Sequence, residues 1–188
     1  MKDYFKKHGI EIALYSFNYR TFLKNIYVLE RYGKDKPIIT VDDDQVFRSD
    51  SIQLLWDTHL KYPNARIGGF CIINGECVNG RYDKIWIDAN TEPDEKIQPW
   101  GSGGIFYPIE FNKLITKKRI DDWIVNAPMR NKYDNDYLLN MIGTTSNIPG
   151  MSVMCNHQRP TKRGYLIERS LPVADDETAR TWTNAVTT

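Results

Sequence analysis

The apolar positions of this chain change period several times, and each change marks a predicted element. Residues 10–16 read as a short strand. Phe22, Leu23, Ile26, Tyr27 and Leu29 then recur at helical spacing, with Asn18 able to cap the helix and Gly33 to stop it. Pro37 opens a β-branched run, Ile38-Ile39-Thr40-Val41. Strand, helix and strand at this spacing predict a βαβ unit, which crosses over right-handed into a parallel sheet and binds ligands at the strands' carboxyl ends. A second helix is expected where Asp50 and Gln53 suit a capping box and Ile52, Leu55, Trp56 and Leu60 share one face, ending before Pro63.

Further along, residues 65–73 suggest a strand, and Asn74-Gly75 and Asn79-Gly80 are turn signals that fold the region into antiparallel pieces ending near Trp86. Residues 88–99 are acidic, hold two prolines and lack an apolar period, which predicts an exposed loop. In Gly101-Ser102-Gly103-Gly104 the glycines let a backbone pass close to a ligand or another strand, and Ile105-Phe106-Tyr107 reads as a buried strand. A helical region follows to about Val125. Residues 134–143 predict a helix with an acidic first turn and a glycine stop, and 151–155 another strand. The expectation is an α/β fold in one domain over 1–172, with a polar tail or weak helix over 173–188.

Composition narrows the partners. Lys and Arg number 25 against 24 Asp and Glu, so no global charge favours nucleic acid, and any cationic site is local. Cys71, Cys77 and Cys155 are spaced unlike a zinc ribbon or redox pair and predict reduced, intracellular thiols. The N-terminus lacks the apolar core of a signal peptide and no run approaches a membrane span. The expected location is cytoplasmic, or peripheral at the inner face of the membrane.

The most informative chemistry is at Asp42, Asp43 and Asp44, directly after the β-branched run. Carboxylates crowded at the end of a buried strand repel one another unless a cation sits among them. Hard oxygen donors without a His or Cys cluster suit Mg²⁺ or Mn²⁺, ions that hold one or two protein carboxylates while substrate phosphates complete the shell.

From about Gly9 to about Asn140 the order of these features resembles the GT-A class of nucleotide-sugar glycosyltransferases, in particular bacterial capsule and surface-polysaccharide enzymes with an Ile-Thr-Val-Asp-Asp-Asp strand. The resemblance rests on that strand, Tyr62-Pro63-Asn64-Ala65, Gly80-Arg81-Tyr82 with Trp86, Gly103-Gly104-Ile105-Phe106-Tyr107-Pro108, and Asn126-Ala127-Pro128 before a second acidic cluster. It implies a Rossmann-like, mostly parallel sheet flanked by helices, with a small antiparallel section. The implied activity is transfer of a sugar from a nucleotide-diphosphate donor to a glycan or lipid-linked acceptor.

By the same resemblance Asp42 and Asp44 hold Mn²⁺ or Mg²⁺ on the donor diphosphate, with Asp44 ranked first as direct ligand and Asp43 beside the donor. The alternative for the acidic run is a solvated turn. Asp136, with Asp134 in reserve, takes the place of the carboxylate that removes the acceptor's proton; Asn135 departs from the family's adjacent acidic pair, and the alternative is helix capping. His157 stands where the family supplies a third metal ligand or diphosphate contact, and Arg159, Lys162 and Arg163 match a cationic loop over the diphosphate. Gly103 and Gly104 shape the floor of the sugar and acceptor site, with Trp100 or Ser102 facing the acceptor; the alternative is tight strand packing.

Only 41 residues precede Asp42, so the resemblance implies that the segment gripping the base is missing. Self-association, or a partner chain supplying that half, is the corresponding expectation. Two other functions share the acidic strand end. One is a haloacid-dehalogenase-like phosphatase with Asp42 as nucleophile, and the other an inactive nucleotide- or carbohydrate-binding remnant.

Overall fold

The structure, a computed structural model, describes residues 2–13, 20–42, 47, 49–78, 81–87, 89–126 and 135–153. Helix α1 (Lys2–Lys7) leads into an extended segment lying against α2 (Leu23–Tyr32), which a 3₁₀ turn (Arg20–Phe22) introduces. The predicted first strand is not formed at 10–13, and 14–16 lie outside the described residues. The reason is local. Glu11 accepts hydrogen bonds from the Tyr27 and Tyr32 hydroxyls of α2, while Ile10 and Ile12 are both exposed, so neither face of the segment is buried. These hydroxyls, Tyr27 first, hold the Glu11 carboxyl below its ordinary value.

Strand β1 (Ile38–Thr40) follows, then α3 (Ser51–Lys61), β2 (Arg66–Gly68), and the antiparallel strands β3 (Cys71–Val78) and β4 (Arg81–Ile87). β5 (Ile97–Pro99), a second 3₁₀ turn (Gly101–Gly103), β6 (Ile105–Tyr107), α4 (Ile109–Leu114), α5 (Lys117–Asn126), α6 (Asn135–Thr145) and β7 (Gly150–Ser152) complete the order. The result is a mixed α/β fold. One sheet runs β1-β6-β2-β7, with β6 antiparallel to the neighbours on both sides and β2 parallel to β7; the other runs β4-β3-β5. A βαβ unit is present, one strand later than expected: β1, α3 and β2, with β6 between the two parallel strands.

Alternation along β6 sends Ile105 and Tyr107 to one face and Phe106 to the other. On the first face they meet Phe22, Ile26, Leu29, Phe111, Ile120, Leu138 and Leu139 from α2, α4, α5 and α6 and the turn before α2. On the second, Phe106, Ile67 and Met151 pack with Leu55 of α3. Each such side chain, fully buried, contributes roughly 1.5–3 kcal/mol.

Several expectations change. Only Leu55 of the predicted α3 face is buried; Ile52, Trp56 and Leu60 are 59%, 41% and 65% exposed. Asp50 makes no side-chain cap bond, and Gln53 donates to Asp57 instead, so the capping box is not formed. Asn74-Gly75 lies inside β3, where the register with β4 shifts between Asn74 and Cys77, a bulge rather than a turn. The 88–99 loop ends in β5, an edge strand on which Pro99's missing N–H is tolerated. The helical region to Val125 divides at Thr116, whose hydroxyl accepts the Arg119 N–H and caps α5.

Gly143 does not stop α6, which runs on to Thr145. Its missing side chain makes room for Arg66: a Cβ there would lie 2.1 Å from the guanidinium carbon. Arg66, 1% exposed, donates from Nη1 to Asn140 Oδ1 at 2.7 Å and from Nε to the Ile148 carbonyl at 3.2 Å, and its guanidinium lies 5.5 Å from the Phe111 ring centre. Burial pushes its pKa down to about 10, so it remains charged at neutral pH.

Two outcomes follow from this packing. Gly143→Ala should destabilise the domain by about 3 kcal/mol in urea unfolding, because the buried guanidinium has no room to move. His59 stacks on Phe106 at 4.3 Å, its Nδ1 is buried without a partner, and burial lowers its pKa from 6.5. The unfolded chain therefore binds the proton more readily, and this contribution to stability is full above about pH 6.5 and lost as pH falls below it. His59→Phe should flatten the acid side of a stability–pH curve measured by thermal unfolding between pH 5 and 7.

Candidate functional site

The site begins where β1 ends. Asp42 lies two residues past Thr40, and its Oδ1 accepts an ion-paired hydrogen bond from Lys24 of α2; the two side chains are 23% and 31% exposed. Beside this strand end runs the glycine turn. Gly104 has φ +77° and ψ 136°, a conformation that disfavours a side chain, and a Cβ there would sit 3.7 Å from the Thr40 carbonyl. Gly103 is tighter still, since a Cβ would fall 2.3 Å from the backbone nitrogen of Phe70. Its absent side chain thus lets the turn press on the chain between β2 and β3, which is the strand-packing role, and the Gly104 carbonyl accepts the Gly69 N–H at 3.0 Å.

The other end of the turn holds the second carboxylate. Asp136, in the first turn of α6 and 8% exposed, accepts the Gly101 N–H on Oδ2 at 3.0 Å. Four residues on, and hence on the same helix face, Asn140 donates to the Pro99 carbonyl at 3.0 Å and accepts from Arg66. One face of α6 therefore fixes both flanks of Trp100. Tyr107 of β6 is 2% exposed, and its hydroxyl is hydrogen-bonded to Thr40. Its pKa is pushed well up, first by burial, then by the charge of Asp136, with a smaller push from Asp42.

Aromatic rings continue from this point. Phe70 and Trp86 lie 4.4 Å apart, Trp86 and Trp100 6.2 Å, and Trp100 and Tyr137 5.9 Å, the last two pairs edge-on. Trp86 and Trp100 are half-buried and Tyr137 is 36% exposed. Partly exposed rings beside a carboxylate are the type of surface on which sugar rings stack.

Of the expected site residues, Trp100, Gly103, Gly104 and Asp136 lie at one turn, the Ser102 backbone lies within it, and Asp42 follows the strand end that Gly104 lies against. Asp43, Asp44, Asp134, His157, Arg159, Lys162 and Arg163 lie outside the described residues. Lys24, Thr40, Tyr107 and Tyr137 were not picked out from the sequence. Tyr107 and Thr40 were visible only as strand residues, and Lys24 only as a polar position on a helix; their role comes from packing. Among the described residues no three acidic, His or Cys side chains converge on one point. Asp42, the described part of the expected donor set, fits a hard cation by its oxygens, its partial exposure and its present contact with a positive charge.

No helix among the described residues is long and apolar enough to cross a membrane. Comparison with protein-family models, with curated proteins and with solved structures found no match.

The Asp136–Gly101 bond yields a stability test. Asp136→Leu should cost about 1–3 kcal/mol in urea unfolding by leaving the buried Gly101 N–H without its acceptor. Asp136→Asn, which keeps an oxygen there, should cost less than half of that.

Proposed function

We propose that this chain is a GT-A-type glycosyltransferase that moves a sugar from a nucleotide-diphosphate donor to a glycan or lipid-linked acceptor. The observation that carries the reading is that the Gly101–Gly104 turn links both expected motifs: Asp136 accepts the Gly101 N–H at one end, and Gly104 at the other lies against the Thr40 carbonyl of the strand end that Asp42 follows. The parallel orientation of β1 and β2, with α3 between them in sequence, supports the reading further, because it sets Asp42 at a strand's carboxyl end.

In this reaction the acceptor hydroxyl attacks the anomeric carbon, the bond from that carbon to the diphosphate breaks, and the acceptor's proton passes to a base. Asp136 is the base. Its Oδ2 is anchored by the Gly101 N–H, so the carboxylate is oriented before substrate arrives, which is what positions a general base at low entropic cost. Trp100 and Tyr137 offer ring faces and edges to the sugar beside it. Asp44 and Asp42 would hold a divalent ion, Mn²⁺ or Mg²⁺, which would supply the counter-charge to the departing diphosphate. Tyr107, kept protonated first by burial and then by the charge of Asp136, presents a neutral hydroxyl bonded to Thr40.

Calorimetric titration of UDP and GDP, with and without Mn²⁺, tests the donor half. Metal-dependent binding of one nucleotide, abolished by Asp44→Ala, is the expected result; no metal-dependent binding of either nucleotide contradicts the reading. On the acceptor half, Asp136→Asn should leave nucleotide affinity within about twofold and lower transfer by about 10²–10⁴-fold.

A further inference from the structure

We infer that Trp86, Trp100 and Tyr137 bind the acceptor as a chain of sugar rings, with Trp86 an outer subsite beyond the point of transfer. The inference rests on the glycosyl-transfer reading and deepens it: the acceptor is an oligosaccharide recognised by its rings rather than by a lipid. Trp86 comes from β4, Trp100 follows β5 and Tyr137 lies in the first turn of α6, so three elements supply one row. Successive ring centres are 6.2 and 5.9 Å apart, with the planes at 84° and 79°. A ligand lying on the face of one ring therefore meets the next ring at its side. Three rings also offer more surface than a single sugar covers.

The row is held in place before a ligand arrives. Phe70, 5% exposed, lies 4.4 Å from Trp86 with the planes 30° apart, so the indole is backed by a buried ring while remaining only half-buried itself. Trp100 donates its backbone N–H to the Phe70 carbonyl at 2.8 Å, and Asp136 and Asn140 fix its two flanks. Aromatic side chains held in this way give contact area at little cost in conformational entropy. A polar group stands beside them. Ile72 of β3 is paired with Trp86 on one side and with Gln98 of β5 on the other, and residues directly opposite in antiparallel strands share a face. Half-buried Gln98 thus belongs to the face of the sheet that carries Trp86, and its amide has both donors and an acceptor. Apolar rings with an amide close by match a pyranose, whose C–H faces are apolar and whose rim carries hydroxyls. None of the four side chains is charged, which suits a neutral sugar chain.

The test uses the full nitrogen-labelled chain, without metal or nucleotide, and follows the indole N–H signals. Maltotriose, cellotriose and chitotriose are the probes, with octyl glucoside as one sugar ring on an alkyl chain. A trisaccharide should shift the Trp86 and Trp100 signals and leave those of Trp56 and Trp123, on α3 and α5, in place. Trp86→Leu, which keeps an apolar side chain against Phe70, should weaken that binding about tenfold, and Trp86→Phe should restore most of it. Failure of every trisaccharide to shift Trp86 and Trp100 overturns the inference, and this wild-type result stands whether or not the variants fold. So does a folded Trp86→Leu chain that binds as well as the wild type, or tighter binding of octyl glucoside than of any trisaccharide. UDP and GDP with Mn²⁺ are then titrated into the same protein. Nucleotide binding without sugar binding overturns the sugar row alone; sugar binding without nucleotide binding overturns the glycosyl-transfer reading, and the acceptor role of the row with it.

Discussion

A buried guanidinium organises this fold. Arg66 sits on β2 with 1% of its surface exposed, and among the described residues no carboxylate pairs with it. Taking that charge out of water is costly, and what offsets the cost is a set of oxygens that only one arrangement of the surrounding elements provides. Asn140 and Leu139 come from α6, Ile148 from the segment leading into β7, and Phe111 lends its ring from α4. Gly143 admits the guanidinium by having no side chain. A shift of α6 along its axis by even one residue would break the Asn140 contact and drive a side chain into the arginine.

The candidate site inherits that rigidity. Asn140 is bound to Arg66 on one side and to the Pro99 carbonyl on the other, so the strand entering the glycine turn is tied to the same helix. One helical turn earlier Asp136 reaches the Gly101 N–H. The carboxylate is thus located by a chain of contacts that begins in the core, and the turn it anchors is packed too tightly at Gly103 to expand. Sites built on such supports hold their geometry without help from substrate.

The sequence was most legible where pattern and burial coincide. The β1 and β6 strands and the core face of α2 follow directly from β-branched runs and helical spacing. It was least legible where a contact distant in sequence decides the outcome. Gly143 looked like a helix stop because nothing local reveals Arg66. Residues 10–13 looked like a strand because alternation says nothing of Glu11's attachment to α2. The α3 stripe of Ile52, Trp56 and Leu60 reads as a core face and is exposed, since Leu55 and Leu54 are the residues that meet β2 and β6. Lys24 was invisible for the same reason: its partner lies on another element.

On the proposed reading, the strand end after β1 and the glycine turn anchored by Asp136 form one metal-dependent site. Paramagnetic broadening by Mn²⁺ in nitrogen-labelled protein reads this directly. Substoichiometric Mn²⁺ should broaden the backbone amide signals of Thr40, Val41, Gly101 and Gly104 together and ahead of the rest of the described chain, and Asp44→Ala should abolish the effect. Broadening that begins elsewhere, or that reaches Thr40 and Val41 while sparing Gly101 and Gly104, would contradict the claim.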